Sequence, residues 1–164
     1  IFKMKEQPKL QLFAEICEDL WVPAPPSSYA ALAGATVIAN LSASNVVIGK
    51  HQYRRELASN QSARCIAAYL YSAAGAGEST TDLAWDGHAM AYENGTLLAE
   101  SRRFSSTPQL TLADLDLERL QADRMRQNSF AQSARRHREE IARFRTVEFS
   151  LPLFKGKLNL ERKI

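Results

Sequence analysis

Residues 35–41 (ATVIANL) constrain the fold more than any other part of the sequence. They form a nearly continuous apolar run of strand length, which is the pattern of a strand covered on both faces. A strand of this kind lies inside a sheet that carries further layers of structure. The run therefore predicts a buried strand inside such a sheet.

An Asn-Gly pair at 94–95 predicts a β-hairpin next to this buried strand. It separates two alternating runs, at 88–93 and 96–104. Asn and Gly tolerate the positive φ angles of a type I′ turn, and that turn matches the twist of the two strands. The pair is the strongest local structural signal in the chain.

The other segments predict further strands and helices on the basis of spacing and of proline and glycine positions. Ser27 or Ser28 is expected to cap a short alanine-rich helix that stops at Gly34. The predicted strands are 9–16, about 66–73, 109–115 and 146–151, and the predicted helices are 29–32, about 50–65 and one long charged helix from 117 to about 141. Their order indicates an α/β (or α+β) layered fold.

Composition restricts the class of protein. The 164 residues are 45% hydrophobic and 24% charged, which is typical of one soluble globular domain. Two cysteines 48 residues apart favour neither a zinc cluster nor a disulfide framework. No apolar run approaches the roughly 18 residues of a membrane span, and the first ten residues lack a signal-peptide core. We therefore predict a cytoplasmic protein with no metal site and no membrane partner.

Charge is segregated along the chain. Residues 1–116 carry a net charge of −3 and residues 117–164 carry +6. The basic run at 135–138 (RRHR) is predicted to be a solvated helix face rather than a nucleic-acid site, because no aromatic stacking pattern accompanies it. Segregated charge favours docking or self-association, so we predict a homo-oligomer and no nucleic-acid partner.

Cys17 is the candidate nucleophile. It ends a predicted strand and precedes two acids and a proline-rich segment, so its side chain is expected at a sharp turn near the surface. The neighbouring Glu15, Glu18 and Asp19 argue against a dry core, although a small buried cysteine is the alternative interpretation. Cys65 is predicted to be a core residue. The three histidines, each predicted to lie on a surface or helix face, are His51, His88 and His137.

The segment EICEDLWVP (15–23) resembles the nucleophile segment of the glutaminase domain of bacterial glutamine-dependent NAD⁺ synthetases, in the nitrilase (carbon-nitrogen hydrolase) superfamily. The resemblance spans about residues 10–150. Its further motifs, in the same order, are AGA (33–35), NLSAS (40–44), SARC (62–65), GESTTDLAWDG (77–87), ENG (93–95) and LAES (98–101).

The resemblance implies an αββα sandwich in which a Glu-Lys-Cys triad hydrolyses glutamine and supplies ammonia to a synthetase domain. It makes Cys17 the nucleophile that forms a glutamyl thioester. The backbone N–H of Glu18 and a family lysine would hold the oxyanion. Ser44 would contact glutamine, the Glu18 side chain would bind the α-amino group, and Lys50 stands where relatives carry an arginine.

In the family, the base glutamate and the oxyanion lysine precede the nucleophile by many tens of residues, whereas 16 residues precede Cys17 here. We therefore expect residues 1–150 to be the C-terminal portion of a glutaminase domain and 151–164 to be a linker towards a missing synthetase domain. The expected partners are glutamine, the N-terminal part and that synthetase domain. ATP and Mg²⁺ are expected only for the synthetase domain, and no cofactor is expected in these residues.

Two alternatives remain open from the sequence. The first is a nitrilase-like amidase that acts on another amide. The second is an inactive truncated domain that acts in assembly through the basic segment 117–145. Ammonia release from glutamine would separate an enzyme from an assembly domain.

Overall fold

The computed structural model describes residues 1–78 and 82–156, which form one mixed seven-stranded sheet in the order β6-β5-β4-β3-β2-β1-β7. The strands are β1 (Phe2–Met4), β2 (Gln11–Ile16), β3 (Val37–Ser42), β4 (Ala68–Ala73), β5 (Ala89–Glu93), β6 (Thr96–Glu100) and β7 (Val147–Phe149). The helices are a 3₁₀ helix (Cys17–Trp21), α1 (Pro26–Leu32), α2 (Lys50–Cys65), α3 (Leu117–Arg126), α4 (Asn128–Arg136) and α5 (Arg138–Ile141).

The three central strands are parallel, which places their carboxyl ends at one edge of the sheet. β2 pairs with β3 and β3 with β4, so that Leu41 lies between Ile16 and Ser72. The connections run through α1 and α2, as parallel neighbours require. The loops that follow β2 and β3 therefore meet at this carboxyl edge, where α/β sheets form their binding crevices.

One face of the sheet carries the main core. Ile38, Tyr69, Met90 and their neighbours pack with residues of α1 and α2, including Ala31 and Ala58. The side chains at the other, alternating positions of the strands point to the opposite face of the sheet.

That opposite face is covered only in part. Leu120 of α3 packs against Val37 and Ala68, the first residues of β3 and β4. Towards the carboxyl edge the cover ends, and Ile16 and Leu41 are 57% and 58% exposed. The prediction that residues 35–41 are covered on both faces is therefore correct at Val37 and wrong at Leu41.

Several predicted elements are confirmed. The strands at 9–16, 66–73 and 146–151 correspond to β2, β4 and β7, and the helix at 50–65 corresponds to α2. The hairpin is present as β5 and β6, with φ values of 46° at Asn94 and 83° at Gly95. Both angles are positive, as a type I′ turn requires.

Other predictions were wrong. The short helix begins at Pro26, with Pro25 rather than Ser27 or Ser28 as its cap residue, since the proline ring fixes a helical φ at the first position. The long helix is divided into α3, α4 and α5, because the chain leaves helical geometry at Gln127 and His137. Residues 109–115 pair with no strand in the described ranges.

Parts of two predicted segments lie outside the described residues. They are positions 79–81 of the GESTTDLAWDG segment and positions 157–164 of the predicted linker. Within the described ranges, no helix is long and apolar enough to span a membrane.

Candidate functional site

Cys17 lies directly after β2, as the first residue of the 3₁₀ helix. Its φ of 47° is in the left-handed region, which non-glycine residues adopt at a cost of about 1–3 kcal/mol. The turn is fixed by two hydrogen bonds: the Ile16 N–H donates to Asp19 Oδ2 at 2.8 Å, and Asn40 Nδ2 donates to the Cys17 carbonyl at 3.3 Å. The predicted sharp turn at the end of the strand is confirmed, and the Cys17 side chain is half-buried there.

A serine from the neighbouring strand contacts the sulfur. The Ser42 hydroxyl lies 3.5 Å from Cys17 Sγ, and the Tyr71 hydroxyl lies 3.0 Å from Ser42 Oγ. Asn40 and Ser42 alternate along β3, and Tyr71 lies on β4, so all three side chains point to the face that α1 and α2 cover. Three strands thus contribute to the surroundings of the sulfur.

A buried arginine lies behind Tyr71. Burial disfavours the charge of Arg54, but its hydrogen bonds to Asp86 and the charge of that carboxylate outweigh burial and raise the arginine's pKa. The Asp86 pKa is lowered, because hydrogen bonds from Arg54 and Arg103 outweigh the opposing effect of burial. The Arg54–Asp86 pair is fully buried and is therefore a fixed charge pair beneath the site.

Glu15, which we expected near the surface, is buried one residue before the end of β2. Its carboxylate accepts hydrogen bonds from the Tyr69 hydroxyl and from the Ser27 N–H at 3.0 Å. The carboxylate therefore satisfies a free N–H in the first turn of α1. Burial, and next the charge of Glu15, raise the pKa of Tyr69, which keeps its proton in this bond.

The three predicted substrate-binding residues all follow Cys17 in sequence and differ in exposure. Glu18 is exposed in the 3₁₀ helix. Ser44 is buried, and its Oγ has no hydrogen-bond partner in the part of the chain that the structure describes. Lys50 Nζ donates to Asn45 Oδ1 at 2.7 Å and lies 5.3 Å from the ring centroid of Trp21, at the end of the 3₁₀ helix. Lys50 is thus held beside the helix that Cys17 begins.

The environments of Cys65 and of the three histidines differ from that of Cys17. Cys65 is buried, as predicted, and burial raises its thiol pKa to about 12. The prediction for His88 was wrong: it is fully buried, with Nε2 2.6 Å from Glu100 Oε1. Its position on the loop into β5 faces the core, and burial lowers its pKa more than Glu100 raises it. His51 and His137 are half-buried.

A cavity of about 610 Å³ lies on the partly open face of the sheet. Leu41, Leu70 and Ala91 form its floor, and residues 105–111 form one wall. Cys17 does not line it. No group of three or more His, Cys, Asp or Glu side chains within the described ranges is arranged to hold a metal ion.

Sequence reasoning missed Ser42 and Tyr71. A signal for Ser42 is present, because Asn40 and Ser42 interrupt the apolar run of β3 at a spacing of two and so point to one face. Tyr71 has no such local signal. It reaches Ser42 across 29 residues of sequence through the pairing of β3 with β4.

A family model for carbon-nitrogen hydrolases matches residues 2–125. The glutamine-dependent NAD(+) synthetase of Mycobacterium tuberculosis strain H37Rv is 51% identical over 164 residues, which are 100% of this chain and 24% of that protein. The protein of the same name from Mycobacterium leprae is 54% identical over 155 residues, covering 94% of this chain and 23% of the relative. The chain thus spans about a quarter of the length of the curated relatives it matches, and it is homologous to one segment of them.

Solved structures agree with the fold. A glutamine-dependent NAD(+) synthetase from Cytophaga hutchinsonii matches with a TM-score of 0.50 and 29% identity, over 59% of this chain and 15% of that one. Saccharomyces cerevisiae Nit3, a member of branch 10 of the nitrilase superfamily, matches with a TM-score of 0.59 and 20% identity, over 71% and 41% of the two chains. The mixed α/β architecture is therefore that of nitrilase-superfamily proteins.

Proposed function

Because this chain belongs to the carbon-nitrogen hydrolase family, we propose that it carries the nucleophile and substrate contacts of a glutamine amidohydrolase that supplies ammonia to an NAD⁺ synthetase. The observation that supports this most directly is the position of Cys17. It is half-buried at the carboxyl edge of the sheet, on a turn with a positive φ, with a hydroxyl donor beside its sulfur. Nucleophiles are presented on strained turns of this kind.

In the proposed reaction, the base glutamate takes the proton of the Cys17 thiol, Sγ attacks the carboxamide carbon of glutamine, and a C–S bond forms. The carbonyl oxygen becomes an oxyanion, which the backbone N–H of Glu18 and the family's lysine hold. The C–N bond then breaks, and the nitrogen leaves as ammonia after taking a proton from the base glutamate. Water hydrolyses the glutamyl thioester, which releases glutamate and returns the thiol.

We assign the base glutamate and the lysine to sequence outside these 164 residues, since the chain covers 24% of the relative's length. ATP and Mg²⁺ belong to the proposed synthetase reaction and are assigned there too.

Three residues would bind the substrate. Glu18 would pair with the α-amino group and Lys50 with the α-carboxylate. The buried Ser44 hydroxyl, which lacks a partner in the described ranges, would bond a polar group of glutamine. A buried hydroxyl without a partner is costly, so a ligand that satisfies it gains affinity.

Covalent labelling tests the proposal. A glutamine analogue with a chloromethyl ketone in place of the carboxamide should alkylate Cys17, and free glutamine should protect the thiol while acetamide should not. Ser44→Ala should weaken the glutamine protection roughly five- to tenfold, whereas Ser72→Ala, on the other face of the sheet, should not change it. Labelling at Cys17 that glutamine does not slow would contradict glutamine as the substrate, and protection by acetamide alone would favour a different amidase.

A further inference from the structure

A row of two hydrogen-bond donors leads to the sulfur of Cys17. The Tyr71 hydroxyl donates to Ser42 Oγ at 3.0 Å, and the Ser42 hydroxyl donates to Cys17 Sγ at 3.5 Å. We call Tyr71 and Ser42 the donor relay. Both residues are buried, so water does not compete for these bonds.

The geometry of these two hydrogen bonds gives the relay a direction. The Tyr71 proton is directed at Ser42 Oγ, and the Ser42 proton at the sulfur. Every bond in the row donates towards Cys17, and hydrogen bonds arranged in series polarise one another in a dry environment.

Arg54 lies near Tyr71 and is fixed by Asp86. Asp86 accepts from both terminal nitrogens of Arg54, and Arg103 Nε also donates to Asp86 Oδ2 at 2.9 Å. The arginine therefore keeps its charge and its position near the relay.

We infer that Ser42 and Tyr71 are positioning residues for Cys17, holding its sulfur as a hydrogen-bond acceptor and so favouring the thiolate over the thiol. A hydrogen bond to the charged form of a group favours that form. The relay supplies no base, because both of its hydroxyls donate towards Cys17. The inference rests on the proposed function only in making Cys17 the nucleophile.

The pH dependence of Cys17 alkylation by iodoacetamide tests this in the whole chain, with the labelled peptide identified by mass spectrometry. Ser42→Ala should move the midpoint of the pH profile upward by about one unit, a roughly tenfold slower reaction at pH 7. Tyr71→Phe should move it in the same direction by less, because the serine hydroxyl remains. Ser42→Thr keeps a hydroxyl and should restore the original midpoint.

Matched variants separate the relay from a general loss of structure. Ser72→Ala removes a hydroxyl from the opposite face of β4, and Tyr92→Phe removes one from a buried tyrosine of β5 outside the relay. Neither variant should shift the midpoint of the pH profile. Circular dichroism and the urea concentration at the unfolding midpoint report whether every variant is folded. A folded Ser42→Ala protein with the original midpoint would overturn the inference, as would an equal shift in Ser72→Ala.

The experiments can refute the relay inference and the glutaminase proposal independently of each other. A midpoint shift in Ser42→Ala without glutamine protection of Cys17 would support the relay and refute the glutaminase assignment. Glutamine protection with no shift would refute the relay and leave the assignment in place.

Discussion

At the scale of single residues, Cys17 and Cys65 lie in different environments. Cys65 is buried and burial raises its pKa to about 12, so near neutral pH it stays a thiol, which is not the nucleophilic form. Cys17 is half-buried and bonded to a hydroxyl. We expect Cys17 to react with iodoacetamide at least about tenfold faster than Cys65, as measured by peptide mapping over time. Faster labelling of Cys65 would reverse the assignment of nucleophile and core residue.

Arg54 should contribute more to stability than its neighbour Arg55. Replacing Arg54 with Met leaves Asp86 in the core without its main partner, which typically costs about 3–5 kcal/mol in the free energy of unfolding. Arg55→Met removes a partly exposed bond to Glu100 and should cost about 1 kcal/mol or less. Urea unfolding of the two variants measures the difference. Equal losses would show that the Arg54–Asp86 pair does not contribute as a buried charge pair.

His88 should make stability depend on pH. Its pKa in the folded protein is lowered by burial, despite Glu100, from an ordinary value of 6.5. On acidification the unfolded chain therefore binds the proton first. The stabilising effect is complete above pH 6.5 and is lost as the pH falls below it.

The measurement for His88 is the urea midpoint at pH 7.5 and pH 5.5. The midpoint should be lower at pH 5.5, and the difference should shrink in His88→Gln, which keeps a polar group near Glu100. An unchanged difference in the variant would assign the pH dependence to other groups.

At the scale of elements, the turn of the β5–β6 hairpin contacts α2. Gly95 has a φ of 83°, and a Cβ there would meet the Ala63 Cβ at 3.0 Å. Gly49 also has a positive φ, of 77°, but no atom lies within 4 Å of its added Cβ. We expect Gly95→Ala to cost about 1–3 kcal/mol and Gly49→Ala about 1 kcal/mol, because only the first combines backbone strain with a close contact. Denaturant unfolding compares them, and a larger loss at Gly49 would contradict the role of the contact.

Local sequence signals explain which helices and strands could be predicted from the sequence. The hairpin, α2 and β2 have local signals, namely a turn pair, helical spacing and alternation, and all three were predicted. The breaks at Gln127 and His137 contain no proline or glycine, so the sequence has no helix-ending signal at either position. The candidate site divides in the same way: Cys17 was found from its place at the end of a strand, whereas the contact between Tyr71 and Ser42 depends on strand register.

At the scale of the whole molecule, the candidate nucleophile and the helix α3 occupy different parts of the sheet. The carboxyl edge of the parallel strands holds Cys17, while the opposite face is closed by α3 only at the beginnings of β3 and β4. The apolar side chains of Ile16 and Leu41 therefore remain on an open face, and Leu41 is also part of the floor of the cavity bordered by residues 105–111. Burial of such a face against another apolar surface gains roughly 25 cal/mol per Å².

This open face and the segregated charge together lead us to expect self-association. Copies can attract one another head to tail, because residues 1–116 carry −3 and residues 117–164 carry +6. The charged contribution should weaken with salt, since the Debye length falls from about 10 Å at 0.1 M to about 3 Å at 1 M, while the apolar contribution should persist. Light scattering at the two salt concentrations should therefore detect an oligomer that loosens without fully dissociating.

Leu41→Lys should give a monomer at both concentrations, whereas Ile48→Lys, the same kind of change at an exposed residue in the loop after β3, should not. A monomer of the unaltered chain at both ionic strengths would show that neither the open face nor the charge asymmetry is enough to hold two copies together.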